Sequence, residues 1–267
     1  KKIKFYNINF RDFKKYIIKK GLFVFPAGPA LANIEKSNEY YQSIKKADFV
    51  FFDSGFFVLL LKIFKNINVA KFSGYKFLNL FFEYLKENRD KIVFCIDPNT
   101  KFSQSNKTFL KELGIKKIYS YLAPQYNSLN LSDKKLLTLL RKKKPDFILT
   151  NIGGGTQEIL GLYLKKKLKF KTTILCTGGA ISFFTGDQAP INNFIDKFYL
   201  GWLIRLIFNP TVFFKRYVFG LRLIPMVILN KITIINKWFK HYKTYLKCID
   251  KTITEYIIYI KSIWKKK

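Results

Sequence analysis

One carboxylate, Asp53, stands in FVFFDSGFFVLLL (residues 49–61) between two strongly apolar runs. A carboxylate at a strand end, beside a glycine and inside a pocket, has its proton affinity tuned by burial and suits a general base. The same residue also reads as the N-cap of a helix over Ser54 to Lys65. Few other groups compete for the chemistry. The one histidine, His241, lies in a lysine-rich tail, so a histidine triad or histidine metal cluster is not expected, and a general base must be Asp or Glu. Cys95, Cys176 and Cys248 are far apart with no C-x-x-C spacing, which argues against a disulfide framework or zinc site and for reduced thiols. No D-x-D pair is present, so the simplest metal clamp for a nucleotide diphosphate is absent and no metal or cofactor is expected.

A second stretch, TNIGGGTQE (150–158), places Gly153, Gly154 and Gly155 between an apolar run and a helical pattern. Glycines there let backbone N–H groups approach a ligand, and the N-terminus of a following helix favours anions. They also serve a tight turn with close strand–helix packing. The spacing is no dinucleotide fingerprint, because position 158 is Glu, and no G-K-[ST] follows to make a phosphate loop.

The elements that must position these groups are legible as alternation. Apolar, β-rich runs occur at 22–28, 48–53, 91–97, 115–121, 146–153 and 171–179. Helical patterns lie between most of them: Pro29 to Lys46, Gly55 to Lys65, Tyr75 to Asn88, Ser103 to Leu113, Ser132 to Lys144 and Thr156 to Lys167. Short buried strands alternating with helices predict an α/β fold, a mainly parallel, Rossmann-like sheet with flanking helices, over residues 1–198. Ligands bind such sheets at the carboxyl ends of the strands, where FPAGPA, FFDSG and TNIGGGTQE all fall.

Net charge is +32, with 49 Lys and Arg, yet only six are Arg. The excess is Lys, beside much Ile, Asn, Phe and Tyr, residues with A/T-rich codons, so genome composition accounts for much of the charge. Arg, which supplies the bidentate base contacts of a sequence reader, is scarce, and composition together with a phosphate or membrane role is favoured over nucleic acid. No apolar segment with a small-residue cleavage site opens the chain, so no signal peptide is expected. The uncharged stretch TTILCTGGAISFFTG (172–186), which no other exceeds in length, is too short to span a bilayer.

Five ordered motifs carry a resemblance: FFDSGFFVLL, AKFSGYKFL, KPDFILTNIGGGTQE, GGAISFFTGDQAP and GWLIRLIFNP, the last followed by Arg216-Tyr217. In this order they resemble the WecG/TagA/CpsF glycosyltransferases (glycosyltransferase family 26), from about Leu22 to Arg222. The resemblance implies inverting, metal-independent transfer of an N-acetylated hexosamine, N-acetylmannosamine or a relative, from a UDP-sugar. The implied acceptor is a sugar on a polyprenyl diphosphate, with the enzyme peripheral on the cytoplasmic face of the membrane. It further implies that Asp53 is the base, Gln157 an active-site amide, Lys71 a basic substrate contact, and Arg205, Arg216 and Arg222 the cations that close over the diphosphate. Tyr126 joins Gln157, Lys71 and the three glycines as a substrate-binding candidate.

The chain departs from the family pattern at Pro26 and Gly28, where a Thr/Asn pair is common, and at Gly155, where proline is usual. Ser182, Gln188 and Gly201 replace acidic, arginine and glutamate positions respectively. Beyond the resemblance, residues 199–267 read as a basic helical appendage. Its apolar positions step by three and four from Ile232 through Ile235 and Phe239 to Ile263, which predicts one face of a long helix. Docking on anionic lipid, packing on the α/β domain and a coiled-coil homo-oligomer are its three readings. A basic nucleic-acid-binding protein and a catalytically inactive scaffold are the competing functional classes.

Overall fold

The computed structural model describes residues 3–8, 13–188, 206–207, 210–229 and 233–236. The strands are β1 (Lys4–Asn7), β2 (Gly21–Val24), β3 (Phe49–Val50), β4 (Ile92–Asp97), β5 (Lys117–Leu122), β6 (Phe147–Thr150), β7 (Thr173–Cys176) and β8 (Thr233–Asn236). The helices are α1 (Phe13–Ile17), α2 (Gly28–Leu31), α3 (Asn38–Lys45), α4 (Gly55–Lys65), α5 (Gly74–Glu87), α6 (Thr100–Glu112), α7 (Lys134–Lys143) and α8 (Thr156–Lys167). A 3-10 helix (Gly178–Phe183), α9 (Pro210–Gly220) and α10 (Leu223–Leu229) follow.

Six strands form one parallel sheet in the order β3-β2-β7-β6-β4-β5. β1 and β8 pair in parallel beside it, and a parallel bridge from Tyr6 to Phe51 ties β1 to the main sheet. Both faces of the sheet are covered. Side chains alternate along each strand, so Leu22, Val24, Phe94, Ile96 and Ile148 enter one core with α3, α4, α7 and α8. Their neighbours Phe23, Val93, Cys95, Phe147 and Leu149 enter the other, with α1, α5 and α6. A parallel sheet buried on both faces needs continuous apolar strands, which is why the strands read as runs rather than as alternations.

Helices start where a short polar side chain follows a strand end. Ser54, Ser73, Asn99 and Asp133 each accept a hydrogen bond from the backbone N–H three residues on, and so begin α4, α5, α6 and α7. The expected helix from Pro29 to Lys46 is broken in two by a turn over residues 32–36, and Ser37 caps its second half. The expected helix from Ile232 is corrected at its start: residues 233–236, TIIN, form β8 in register with Lys4–Asn7. The remainder of that stripe lies outside the described residues. α9 packs on α2 and α10 on α4, and the Lys65 ammonium donates to the Ile228 carbonyl at 2.7 Å.

Candidate active site

Asp53 follows β3, and the cap of α4 is Ser54, whose hydroxyl accepts from Phe57 N at 3.2 Å. Asp53 is therefore not the helix cap. Its Oδ1 instead accepts from Gly74 N at 2.8 Å, across 21 residues. The strand end and the α5 entry are zipped together by a further bond, Phe72 N to Phe52 O at 2.9 Å. This places the Lys71 segment beside the Asp53 segment, with Lys71 partly exposed.

Gly74 leads to the end of β7: a Cβ built on it would lie 3.5 Å from the Cβ and the carbonyl oxygen of Thr177. The next residue, Gly178, has φ of +57°, and a Cβ there would lie 3.3 Å from Gln157 Nε2. Gln157 is 3% exposed and its Nε2 donates to Glu158 Oε1 at 3.0 Å. The other carboxylate oxygen of Glu158 accepts from Gly155 N at 2.7 Å, closing the turn before α8. Four motifs far apart in sequence are thus one continuous set of contacts at the carboxyl ends of β3, β7 and β6.

The glycine loop differs in its use from the expectation of an anion cradle. Gly155 has φ of +94°, a conformation that favours glycine, and this turn aims its N–H at Glu158. The Gly155 N–H at the start of α8 is taken by the protein's own Glu158 side chain and is not open to an anion. Gly153 and Gly154 are exposed on the outer side of the turn.

Glu158 is the group that sequence reasoning left without a role. It is fully buried, and burial above all pushes its carboxyl up to about 7, with Asp53 adding to the rise; hydrogen bonds to the Glu158 and Gly155 N–H groups and to Gln157 oppose it. Tyr40 of α3 is buried beside both acids; burial first, then the charges of Glu158 and Asp53, hold its hydroxyl well above the usual tyrosine range. Among the described residues, Tyr40 Oη, Gln157 Oε1 and Thr177 Oγ1 are buried polar atoms with no hydrogen-bond partner. The available signal was the spacing of a turn glycine followed three residues later by Glu before an apolar run.

Across β6 lies a second buried polar group. Asp97 Oδ1, at the end of β4, accepts from Asn106 Nδ2 and Asn151 Nδ2, both at 2.7 Å. Burial raises the Asp97 carboxyl, opposed by these amide bonds. Tyr126 is partly buried, and its hydroxyl donates to Asp133 at 2.8 Å, alongside that of Tyr121. This fixes the loop after β5, and the ring of Tyr126 packs against the core.

The cationic candidates are only partly described. Arg222 is exposed, with its guanidinium 4.9 Å from the Phe219 ring centroid. Its neighbour Leu223 is buried near Gly28: a Cβ on Gly28 would lie 3.6 Å from Leu223 Cδ1 and 2.8 Å from Ser54 Oγ. The chain carrying Arg222 therefore reaches the carboxyl ends of β2 and β3, next to Asp53. Arg216 lies on α9, of which the backbone alone is described at that residue, and Arg205 lies outside the described residues.

Comparison with known proteins gives the family of the chain. The profile of the Glycosyl transferase WecG/TagA/CpsF family matches residues 2–237. The chain is similar to the UDP-Gal:alpha-D-GlcNAc-diphosphoundecaprenol beta-1,4-galactosyltransferase of Shigella boydii, with 28% identity over 181 residues, 64% of this chain and 72% of that one. It is also similar to the N-acetylglucosaminyldiphosphoundecaprenol N-acetyl-beta-D-mannosaminyltransferase of Bacillus spizizenii, with 19% identity over 194 residues, 72% and 73% of the two chains. The chain, with its motifs gathered at one edge of a parallel sheet, belongs to the WecG/TagA/CpsF family of glycosyltransferases.

Proposed function

We propose that this glycosyltransferase moves a hexosyl group from a UDP-sugar to a sugar carried on a polyprenyl diphosphate, with inversion and without metal, in the synthesis of a cell-surface polysaccharide. The observation that carries this reading is the position of Asp53, held by Gly74 at the strand edge where the other family motifs meet. An acceptor hydroxyl must lose a proton as it attacks the anomeric carbon, and Asp53 takes it. The leaving UDP gathers negative charge; Lys71, Arg222, Arg216 and Arg205 are the cations assigned to it. Gln157 braces the floor against which the donor sugar sits.

The donor is an N-acetylhexosamine of the mannosamine type or galactose, the two sugars named in the relatives. The polyprenyl tail of the acceptor requires work at a membrane surface, and a chain of net charge +32 favours an anionic one. Among the described residues no helix is long and apolar enough to cross a membrane; the lipid-linked acceptor is the ground for assigning the chain peripheral attachment at the inner face. The ordered motifs and the family membership weigh against a nucleic-acid-binding role, which explains the charge alone. Titration calorimetry with UDP, UDP-galactose and UDP-N-acetylmannosamine tests the reading. Binding of UDP and of at least one sugar donor supports it; tight, salt-dependent DNA binding with no UDP binding contradicts it.

A further inference from the structure

The chain that returns from α4 to the site leaves a groove beside the helix. α4 follows Asp53 and Ser54 and ends at Lys65. Asn66 turns the chain with φ of 50°, and residues 67–72 run back toward Asp53. Ile67 N donates to Leu61 O at 3.1 Å near the far end of the helix, and Phe72 N donates to Phe52 O at 2.9 Å beside the site. Ala70 N donates to Asn7 Oδ1 at 3.0 Å, which ties the return to β1. The groove between helix and return encloses about 510 Å3, partly open to solvent. Val58, Leu59 and Lys62 line it from α4, and Ile67, Asn68 and Val69 from the return. Apolar surface continues along the helix, where Leu59, Ile63 and Phe64 are 48%, 62% and 45% exposed. Contiguous exposed apolar side chains rimmed by polar ones mark a binding surface. The charge around them has one sign: from Ser54 to Phe82 the chain holds Lys62, Lys65, Lys71 and Lys76 and no Asp or Glu.

We propose that this groove binds the prenyl chain of the acceptor, with Lys62 on its diphosphate. This rests on the reading of the protein as a transferase that acts on a polyprenyl-diphosphate-linked sugar with Asp53 as its base. A ligand that is anionic at one end of an apolar chain matches apolar walls that carry one lysine and no acid. The placement also fits in length. The helical rise from Ser54 to Lys62 is about 12 Å, room for one sugar and a diphosphate between Asp53 and Lys62. The sugar then lies at Asp53 and the diphosphate at Lys62. The first isoprene units lie on Leu59, Ile67 and Val69, and the rest of the tail leaves past Ile63 and Phe64. The groove selects acceptors by their tail, which the sugar chemistry at Asp53 alone does not do.

Two acceptor analogues test this, N-acetylglucosamine diphosphate on a farnesyl tail and on an ethyl tail. They are compared without vesicles, so that membrane docking does not contribute. The wild type is expected to show a KM about ten-fold lower, or more, for the farnesyl acceptor. Leu59→Gln, at an exposed position, removes most of that preference. Lys62→Gln raises KM for both acceptors by about ten-fold and leaves the preference in place. A second readout needs no turnover: a farnesyl acceptor with a diazirine on its tail crosslinks the wild type within residues 58–69, and unlabelled acceptor competes. The proposal is overturned by no tail preference in the wild type, by a full preference in Leu59→Gln, by an unchanged acceptor KM in Lys62→Gln, or by crosslinks confined to other segments. Competed crosslinks at 58–69 in a protein that transfers no sugar from any donor keep the groove and contradict the proposed function.

Discussion

Asp53 Oδ1 and the backbone N–H of Gly74 are joined by a hydrogen bond of 2.8 Å, so the end of β3 and the entry of α5 share one carboxylate. The bond orients the group that the account makes the base. Replacing it with Asn keeps an acceptor oxygen for Gly74 and removes the proton acceptor. Asp53→Asn is expected to bind UDP as the wild type does and to turn over about 100-fold more slowly or worse. Turnover within a few fold of the wild type contradicts the assignment.

Gly155 lies in the turn that leads into Gln157 and Glu158, and Gly178, after β7, packs beside Gln157. Both have φ in the left-handed region, +94° and +57°. Open space surrounds the Cα of Gly155, so Gly155→Ala is strained by its backbone alone and costs about 1–2 kcal/mol. Gly178→Ala adds a tight contact with the Gln157 amide. Thermal unfolding should show both variants less stable, by roughly 2–4 °C per kcal/mol for a chain of this size. The Gly178 variant should also lose more donor affinity than the Gly155 variant. Equal affinities place the Gln157 amide outside the donor site.

The buried Glu158 has a consequence for stability. Its folded-state value of about 7 lies above the ordinary carboxyl value, so the folded state holds the proton more tightly than the unfolded chain does. The stability that this contributes is fully present below about pH 4.5 and is lost as pH rises through 7. Above that, the ionised group costs about 3 kcal/mol relative to its neutral form. Glu158→Gln is expected to raise the melting temperature over wild type at pH 8 more than at pH 5. A difference that does not change with pH contradicts the raised value.

Much of the central fold was legible because parallel strands buried on both faces must be apolar runs. The run at 91–97 became β4, and those ending in FPAG, FFD and TNIG became β2, β3 and β6, while the run at 115–121 became β5, the partly exposed edge strand. What was not legible depends on partners distant in sequence. Residues 233–236 fit a helical stripe through Ile232 and Ile235, but β-branched residues also suit a strand, and only the edge offered by Lys4–Asn7 decides. Asp53 looked like a cap because Asp commonly is one; Ser54 takes that place, and the tie to Gly74 is tertiary. Glu158 resembled an ordinary first-turn acid until its complete burial was visible. Asp97 drew no notice for the same reason, since Asn106 and Asn151 reach it from separate elements.

The tail beyond β8 carries the membrane proposal. Removing it must spare β8, so the shortened chain to test ends at Asn236. Full-length protein is expected to float with anionic liposomes, and the shortened chain to bind more weakly, the difference fading with salt at roughly 1 kcal/mol per lysine near the surface. Equal binding by the two contradicts a lipid role for the tail. A changed oligomer mass with equal lipid binding points to the coiled-coil reading.

Asp53-dependent sugar transfer is the central claim, and product analysis tests it most directly. The full chain is incubated in excess chelator with UDP-galactose, UDP-N-acetylmannosamine and other UDP-sugars, each with a polyprenyl-diphosphate-linked N-acetylglucosamine acceptor, in parallel with Asp53→Asn. The account predicts one donor giving a lipid-linked disaccharide with inverted anomeric configuration and released UDP, and little product from the variant. No transfer from any donor, retained configuration, or equal product from Asp53→Asn would contradict it.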